Sequence, residues 1–259
     1  MDGAKLIKIL GRLYPKKLKE WYDRVGKQTI TVKGDVKTIL LALDYDEEVF
    51  KKALEIRPDL IITHHPFIFG TKGKVFKSDP LKEELYNKTV EQGFPVYSYH
   101  TNFDNAKNGM NDALSEALGL VDVKVVETCP GMRIGSLKEM MDVYDVPNYV
   151  MERLHASYSH LLPYGKKEIN TVGIIGGAGS GLWKVAEENG ADIYLSGDCP
   201  HHVRRDIIRY GYNYLDLPHE IERIFIPKMT NILLNIDQSL NVIPFNHEVE
   251  ALTFKKADN

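Results

Sequence analysis

The chain has 259 residues, 43% of them hydrophobic and 27% charged, which is enough to fill one large or two modest cores in an ordinary globular protein. Its 33 basic residues against 36 acidic ones leave a net charge of -3. That is no excess of the kind that marks a nucleic-acid binder, although a local basic patch stays open. Cys129 and Cys199 stand far apart with no C-x-x-C, which argues against a disulfide framework or a zinc ribbon and for reduced thiols in the cytoplasm.

The opening stretch MDGAKLIKILGRLYPKKLKEWYDR mixes Lys and Arg with short apolar groups. It predicts a solvated first helix without the apolar run of a signal peptide. No window is long and apolar enough to predict a membrane span. KTILLALD (37–44) reads as a buried strand. In YDEEVFKKALEIRPD, Asp44 or Asp46 serves as N-cap, Glu47 and Glu48 favour the first turn, and Val49, Phe50, Ala53 and Leu54 share one face. Pro58 ends this helix, and LIITHHP is the next strand. SDPLKEELYNKTVEQGFP predicts a helix with Pro80 in its first turn and Gly93 past its end. VYSYHTNFD is a third strand running into polar residues, and NDALSEALGL a further helix.

The second half repeats the plan. NTVGII is a strand, GGAGSG a turn, LWKVAEENG a helix, ADIYLSGD a strand, HHVRRDIIRYG a helix, and YNYLDLPHEIER a strand running into a polar helix start. PDLIITHHP thus holds the place of ADIYLSGDCP, and VYSYHTNFD that of NYLDLPHE. The pattern predicts an α/β fold of two related lobes, 1–123 and 124–259, with largely parallel sheets. Residues 124–169, with GMRIGSL and a helix near VPNYVMERL, belong to the second lobe or bridge the two.

In α/β sheets ligands gather beyond the carboxyl ends of the strands. There the first lobe puts His64, His65, His100 and Asp104, and the second puts Asp198, His201, His202, His219 and Glu222. Six of the nine histidines fall in this set. Neutral imidazole and carboxylate together suit borderline divalent ions such as zinc, manganese, iron or nickel. His219 and Glu222, three apart, face the same way on a helix start, and His100 and Asp104 do so if their turn is helical. Neighbours such as His64 and His65 point apart in a strand, so each is expected to serve a different ion, with a carboxylate bridging. His201 and His202 read equally as a helix start beside the pocket, and Cys199 as a buried thiol. The Gly176–Gly181 turn stands where a phosphate cradle would, but without G-x-G-x-x-G spacing or a following Lys-Ser/Thr; a tight, close-packed turn is the plainer reading.

DLIITHHPFIF, YSYHTNFDNAKNGMNDALSEALGL, GIIGGAGSG, YLSGD and LDLPHEIER occur in the order of a known family. The chain resembles the Nif-three-like dinuclear metal-centre proteins, also called GTP cyclohydrolase 1 type 2 homologues, in their short form. The resemblance implies five ligands for two metals between the lobes. They are His64 and His65 from T-H-H-P, Asp104 from H-T-N-x-D, and His219 and Glu222, with the carboxylates as bridges. It places His100 beside the site and implies a homohexameric toroid. Two departures stand out. The family usually has Gly before the late His, here Pro218, and three residues between that His and the Glu, here two. The residue four after His219 is Arg223, which cannot ligate a metal.

Two functions follow as expectations. One is a metal-dependent hydrolase acting on a nucleotide or another small phosphate- or amide-bearing compound, with His100 orienting water or relaying a proton. The other is a non-enzymatic, metal-dependent toroidal module that binds nucleic acid or protein, for which RLYPKKLKEW and HHVRRDIIR supply the candidate charges.

Overall fold

The computed structural model describes residues 1–249 and Leu252. In chain order its strands are β1 (Gly26–Lys27), β2 (Thr38–Ala42), β3 (Leu60–Thr63), β4 (Val96–Ser98), β5 (Val121–Val126), β6 (Cys129–Asp142), β7 (His160–Pro163), β8 (Glu168–Ile174), β9 (Ile193–Gly197), β10 (Asn213–Leu217) and β11 (Asn241–Pro244). Its α-helices are α1 (Gly3–Leu13), α2 (Glu47–Ile56), α3 (Lys72–Ser78), α4 (Pro80–Glu91), α5 (Thr101–Asp104), α6 (Met110–Ala117), α7 (Val146–Leu154), α8 (Trp183–Glu188), α9 (His201–Tyr210) and α10 (Phe225–Ile236). Among the described residues no helix is long and apolar enough to cross a membrane.

Two compact units result. The first comprises residues 1–109 and 225–247, and the second residues 110–224. The first unit holds a sheet in the order β1-β4-β3-β2-β11, parallel except for the β1–β4 pair. Every residue of β3 and four of the five in β2 are buried, as in a parallel sheet covered on both faces. Leu40, Ile61 and Val96 pack with Val49, Ala53, Leu85 and Phe94 from the flanking helices and loops. The Asp46 carboxylate caps α2 through the Val49 amide (3.0 Å), and Arg57 ends the helix in the left-handed region before Pro58. Asp79 caps α4, with Pro80 in its first turn.

The second unit holds a sheet in the order β5-β6-β8-β9-β10-β7. Only β8-β9-β10 is parallel; β5, β6 and β7 pair antiparallel. The expectation of a largely parallel sheet is corrected here. Residues 121–142, which carry the GMRIGSL motif, form a long antiparallel ribbon on one edge. Its alternating burial is weak, because most of β5 is exposed.

The internal repeat is visible at matching atoms. Asp59, just before β3, accepts hydrogen bonds from the amides of Lys37 (2.8 Å) and Thr38 (2.9 Å) at the start of β2. Asp192, just before β9, accepts them from Asn170 (3.0 Å) and Thr171 (2.8 Å) in the neighbouring β8. Each carboxylate pins the starts of two parallel strands, and the orders β2-β3-β4 and β8-β9-β10 correspond.

Candidate metal centre

In the first unit, β3 stops at Thr63, and both His64 and His65 lie beyond it. Their amides both donate to the Leu43 carbonyl at 3.0 Å. The His65 carbonyl accepts from the hydroxyls of Thr63 (2.9 Å) and Ser98 (3.0 Å). This clamp removes the strand alternation expected of adjacent residues: the two rings lie 4.9 Å apart. The turn at 101–104 is helical, so His100 precedes α5 and Asp104 closes it, with the Asp104 amide donating to the His100 carbonyl (3.1 Å). His64, His65 and His100 each offer one ring nitrogen to a group of atoms lying within 4.8 Å of one another.

His64 and His65 are oriented by hydrogen bonds at Nδ1. For His64, which is fully buried, the partner is the Tyr99 carbonyl at 2.8 Å. A carbonyl only accepts, so Nδ1 carries the proton, and in the neutral ring Nε2 presents a lone pair. That nitrogen faces Asp104 Oδ1 across 3.6 Å. Two acceptors aimed at each other suit a cation between them. For His65 the Nδ1 partner is Asp44 Oδ2 (2.9 Å); His100 Nδ1 lies 3.0 Å from Asp23 Oδ1, an ion-pair contact without hydrogen-bond alignment. Burial pushes the Asp23 carboxyl up. Contacts from His100, with Thr101 and the Arg24 amide, outweigh that and hold it at about 2. Carboxylate or carbonyl on Nδ1, with Nε2 left for the metal, is how ligating histidines are commonly held. The donor set of imidazole nitrogens and a carboxylate fits a borderline divalent ion.

The second unit repeats this device. His219 Nδ1 lies 2.6 Å from Asp198 Oδ2, and Nε2 lies 3.0 Å from Glu222 Oε2. Asp198 adopts φ +55, in the left-handed region that Asp tolerates better than most residues. The Glu222 carboxylate, with Asp198 behind it, pushes the His219 imidazole up to about 9 against the opposing effect of burial. The two-residue gap between His219 and Glu222 is explained by the local helix type. Residues 219–224 form a 3-10 turn, in which i and i+3 eclipse. Arg223 points elsewhere, donating to the His155 carbonyl.

The glycine turn has its reason here. A Cβ on Gly177, which adopts φ +63, would fall on Glu222 Oε1 and lie 2.9 Å from its Cδ. Asn111 Oδ1 holds the same turn by accepting from the Gly176 amide (2.8 Å). The turn therefore leaves room for the Glu222 carboxylate, as the close-packed reading anticipates. His201 and His202 are exposed in the first turn of α9 and join neither cluster.

Three residues that matter here were not singled out by their sequence context. Asp23 lies in a stretch without periodicity, and Asn111 looks like a helix start. Asp44 was an alternative N-cap, a role that Asp46 takes. Its position at the end of a buried strand, like those of the histidines, is the signal that marks it.

A family model for Duf34/NIF3 (NGG1p interacting factor 3) matches residues 1–251. The chain belongs to the DUF34/NIF3 family. A GTP cyclohydrolase 1 type 2 homolog of Clostridium perfringens is 32% identical over 220 residues, 83% of this chain and 84% of the relative. NIF3-like protein 1 of Drosophila melanogaster is 30% identical over 219 residues, 81% of this chain and 73% of that one. Among solved structures, a Bacillus cereus protein related to NIF3 shares the fold with a TM-score of 0.85 at 22% identity, covering 99% of both chains. Reduced HcgD from Methanocaldococcus jannaschii superposes with a TM-score of 0.79 at 26% identity, over 94% of this chain and 97% of that one. Within this NIF3 family member, His64, His65, His100 and Asp104 come together in one unit, and His219 and Glu222 in the other.

Proposed function

We propose that this NIF3 family member is a dinuclear metal-dependent hydrolase acting on a nucleotide or another small phosphate- or amide-bearing molecule. The observation that carries the reading is the repeated fixing of Nδ1 on His64, His65 and His219, which commits each Nε2 to a second task. The residues that would hold the ions are His64, His65, Asp104, His219 and Glu222. Two divalent ions held by that set would polarise the scissile bond and activate water. His100, with the Asp23 carboxylate 3.0 Å from its Nδ1, takes or returns a proton at Nε2. Asp44 and Asp198 hold the rings of His65 and His219 in place.

The test joins metal analysis to a hydrolysis screen. After mild purification and metal supplementation, elemental analysis is expected to approach two ions per chain. Asp104→Ala is expected to lose metal while keeping its fold, because it removes a negative charge that would offset the repulsion between two cations held at short range. Hydrolysis of nucleotides or phosphoesters is expected to rise with pH. Protons compete with metal for His64, His65 and His219, the last of which its carboxylates hold protonated up to about 9 in the bare chain, so metal content and rate fall together as the pH drops. A rate indifferent to pH, or one that survives complete chelation, would refute the mechanism. Folded protein with both metals bound and no turnover on a broad panel would assign the centre to a binding module.

A further inference from the structure

Three large aromatic side chains of the first unit lie open to solvent in a row. Trp21 is 89% exposed, Phe69 52% and Tyr22 48%. Trp21 and Tyr22 meet at 5.6 Å between ring centroids, Tyr22 and Phe69 at 6.2 Å, and Phe69 and His100 at 6.2 Å. The strip therefore ends on the imidazole assigned above to proton transfer. Its rings are steeply inclined to one another, 88° between Trp21 and Tyr22, so faces and edges are presented in alternation.

The loop that carries Trp21 and Tyr22 is tied down. Asn105 Nδ2 donates to the Leu18 carbonyl (2.7 Å) and to Glu20 Oε1 (3.2 Å). The Glu20 amide donates to Thr101 Oγ1 (2.9 Å), and Asp23 Oδ2 accepts from the Thr101 amide (3.1 Å). All these anchors run to α5 or the residue after it, the helical turn that presents His100 and Asp104. The strip is thus placed relative to the candidate metal ligands by the same few residues.

We infer that Trp21, Tyr22 and Phe69 form a stacking platform for a planar heteroaromatic ring of the substrate, a nucleobase or a ring of that kind. The inference rests on the metal-site reading for its purpose and names the substrate class of that site. Exposed aromatic faces take up bases by stacking whatever their identity, because every base has a π-face. The charge around the strip agrees. The Tyr22 hydroxyl is pushed up by burial and by the nearby carboxylates of Glu20, Asp23 and Asp104, surroundings that favour a neutral ring bearing N–H donors over an anionic one. Phe69 lies against His100, so a ring stacked there puts its attached groups within reach of that imidazole.

The chain has two tryptophans, and Trp183 is 3% exposed, so solvent-exposed emission reports Trp21. The purified 259-residue chain, metal-loaded and metal-free, is titrated with GMP, AMP, CMP and UMP and, as the ringless control, ribose 5-phosphate. Binding is followed by calorimetry and tryptophan emission. The nucleotides are expected to bind saturably, to quench Trp21, and to bind at least tenfold more tightly than ribose 5-phosphate. Phe69→Leu and Trp21→Leu are each expected to weaken nucleotide binding by about 5- to 150-fold, the range that base stacking on one aromatic ring accounts for, with metal content unchanged. If no nucleotide binds better than ribose 5-phosphate, or both variants bind like the parent chain, the platform is refuted. Trp21 emission that is already shielded in ligand-free protein, and opens on dilution, would give the strip to a second copy and refute it too. Metal-free titration separates the two readings: failure to load metal would overturn the dinuclear centre, while ring binding by the bare chain would still decide the platform.

Discussion

Asp44, Asp23 and Asp198 contribute no ligand in the proposed centre, yet each sits on the Nδ1 side of a histidine that does a job there. Such partners fix the tautomer and the ring plane and raise the basicity of the far nitrogen. Removing one typically costs 10- to 100-fold in metal affinity. Asp44→Asn is therefore expected to lower metal affinity by about that factor while leaving the thermal transition of the metal-free protein nearly unchanged, since Asp44 is half-exposed. Titration with a competing chelator measures it. Gly177 offers a second residue-scale test. Alanine there is strained by φ +63 and pushes on Glu222, whereas a Cβ on Gly181 meets nothing within 4 Å. Gly177→Ala is expected to cost about 1–3 kcal/mol and to displace the Glu222 carboxylate. Gly181→Ala is expected to stay within about 1 kcal/mol of the parent in urea melts. Equal effects of the two would remove the cradle argument.

Among the elements, the carboxylates Asp59 and Asp192 each tie together the starts of two parallel strands. Burial pushes the Asp192 carboxyl up, but hydrogen bonds from Lys166 and the amides of Thr171 and Asn170 outweigh it and hold it below the usual carboxylate range. A group depressed in this way contributes stability that is present above its unfolded value and is lost as pH falls through the folded one. Asp192→Asn keeps the shape and removes the charge. It is expected to lower stability at neutral pH by about 1–3 kcal/mol, the scale of hydrogen bonds to a charged group. The gap to the parent chain should narrow as both are taken into acid, which urea unfolding at a series of pH values follows. A constant gap would mean that Asp192 acts through packing alone. Strand and helix positions around these carboxylates were largely legible in the sequence, because buried parallel strands are continuous apolar runs and helices advertise caps such as Asp46 and Asp79. The antiparallel edge of the second sheet was not, because β5 is exposed along most of its length and alternates poorly. Nor did the chain announce the 3-10 turn at 219–224. It follows Pro218, and its tighter pitch brings His219 and Glu222 together despite a spacing that departs from the family.

For the molecule as a whole, the resemblance supports an assembly of six copies, which we propose on that ground. Light scattering is expected to give about six times the chain mass, and a stable monomer at working concentrations would contradict it. Local sequence by itself determined the α/β class, the repeated strand–helix plan, and the strand ends at which His64, His65, His100, Asp104, His219 and Glu222 accumulate. Those features are written in short-range periodicity, capping and residue chemistry. Only the tertiary structure decided which carboxylate stands behind which histidine, why Gly177 lacks a side chain, and where the last strand goes. Asp23 reaches His100, Asp44 reaches His65, and β11 pairs with β2 from about two hundred residues away. No local pattern encodes such partners. They are set by the balance of loop closure against burial over the whole folded unit, which becomes definite only when the core is complete.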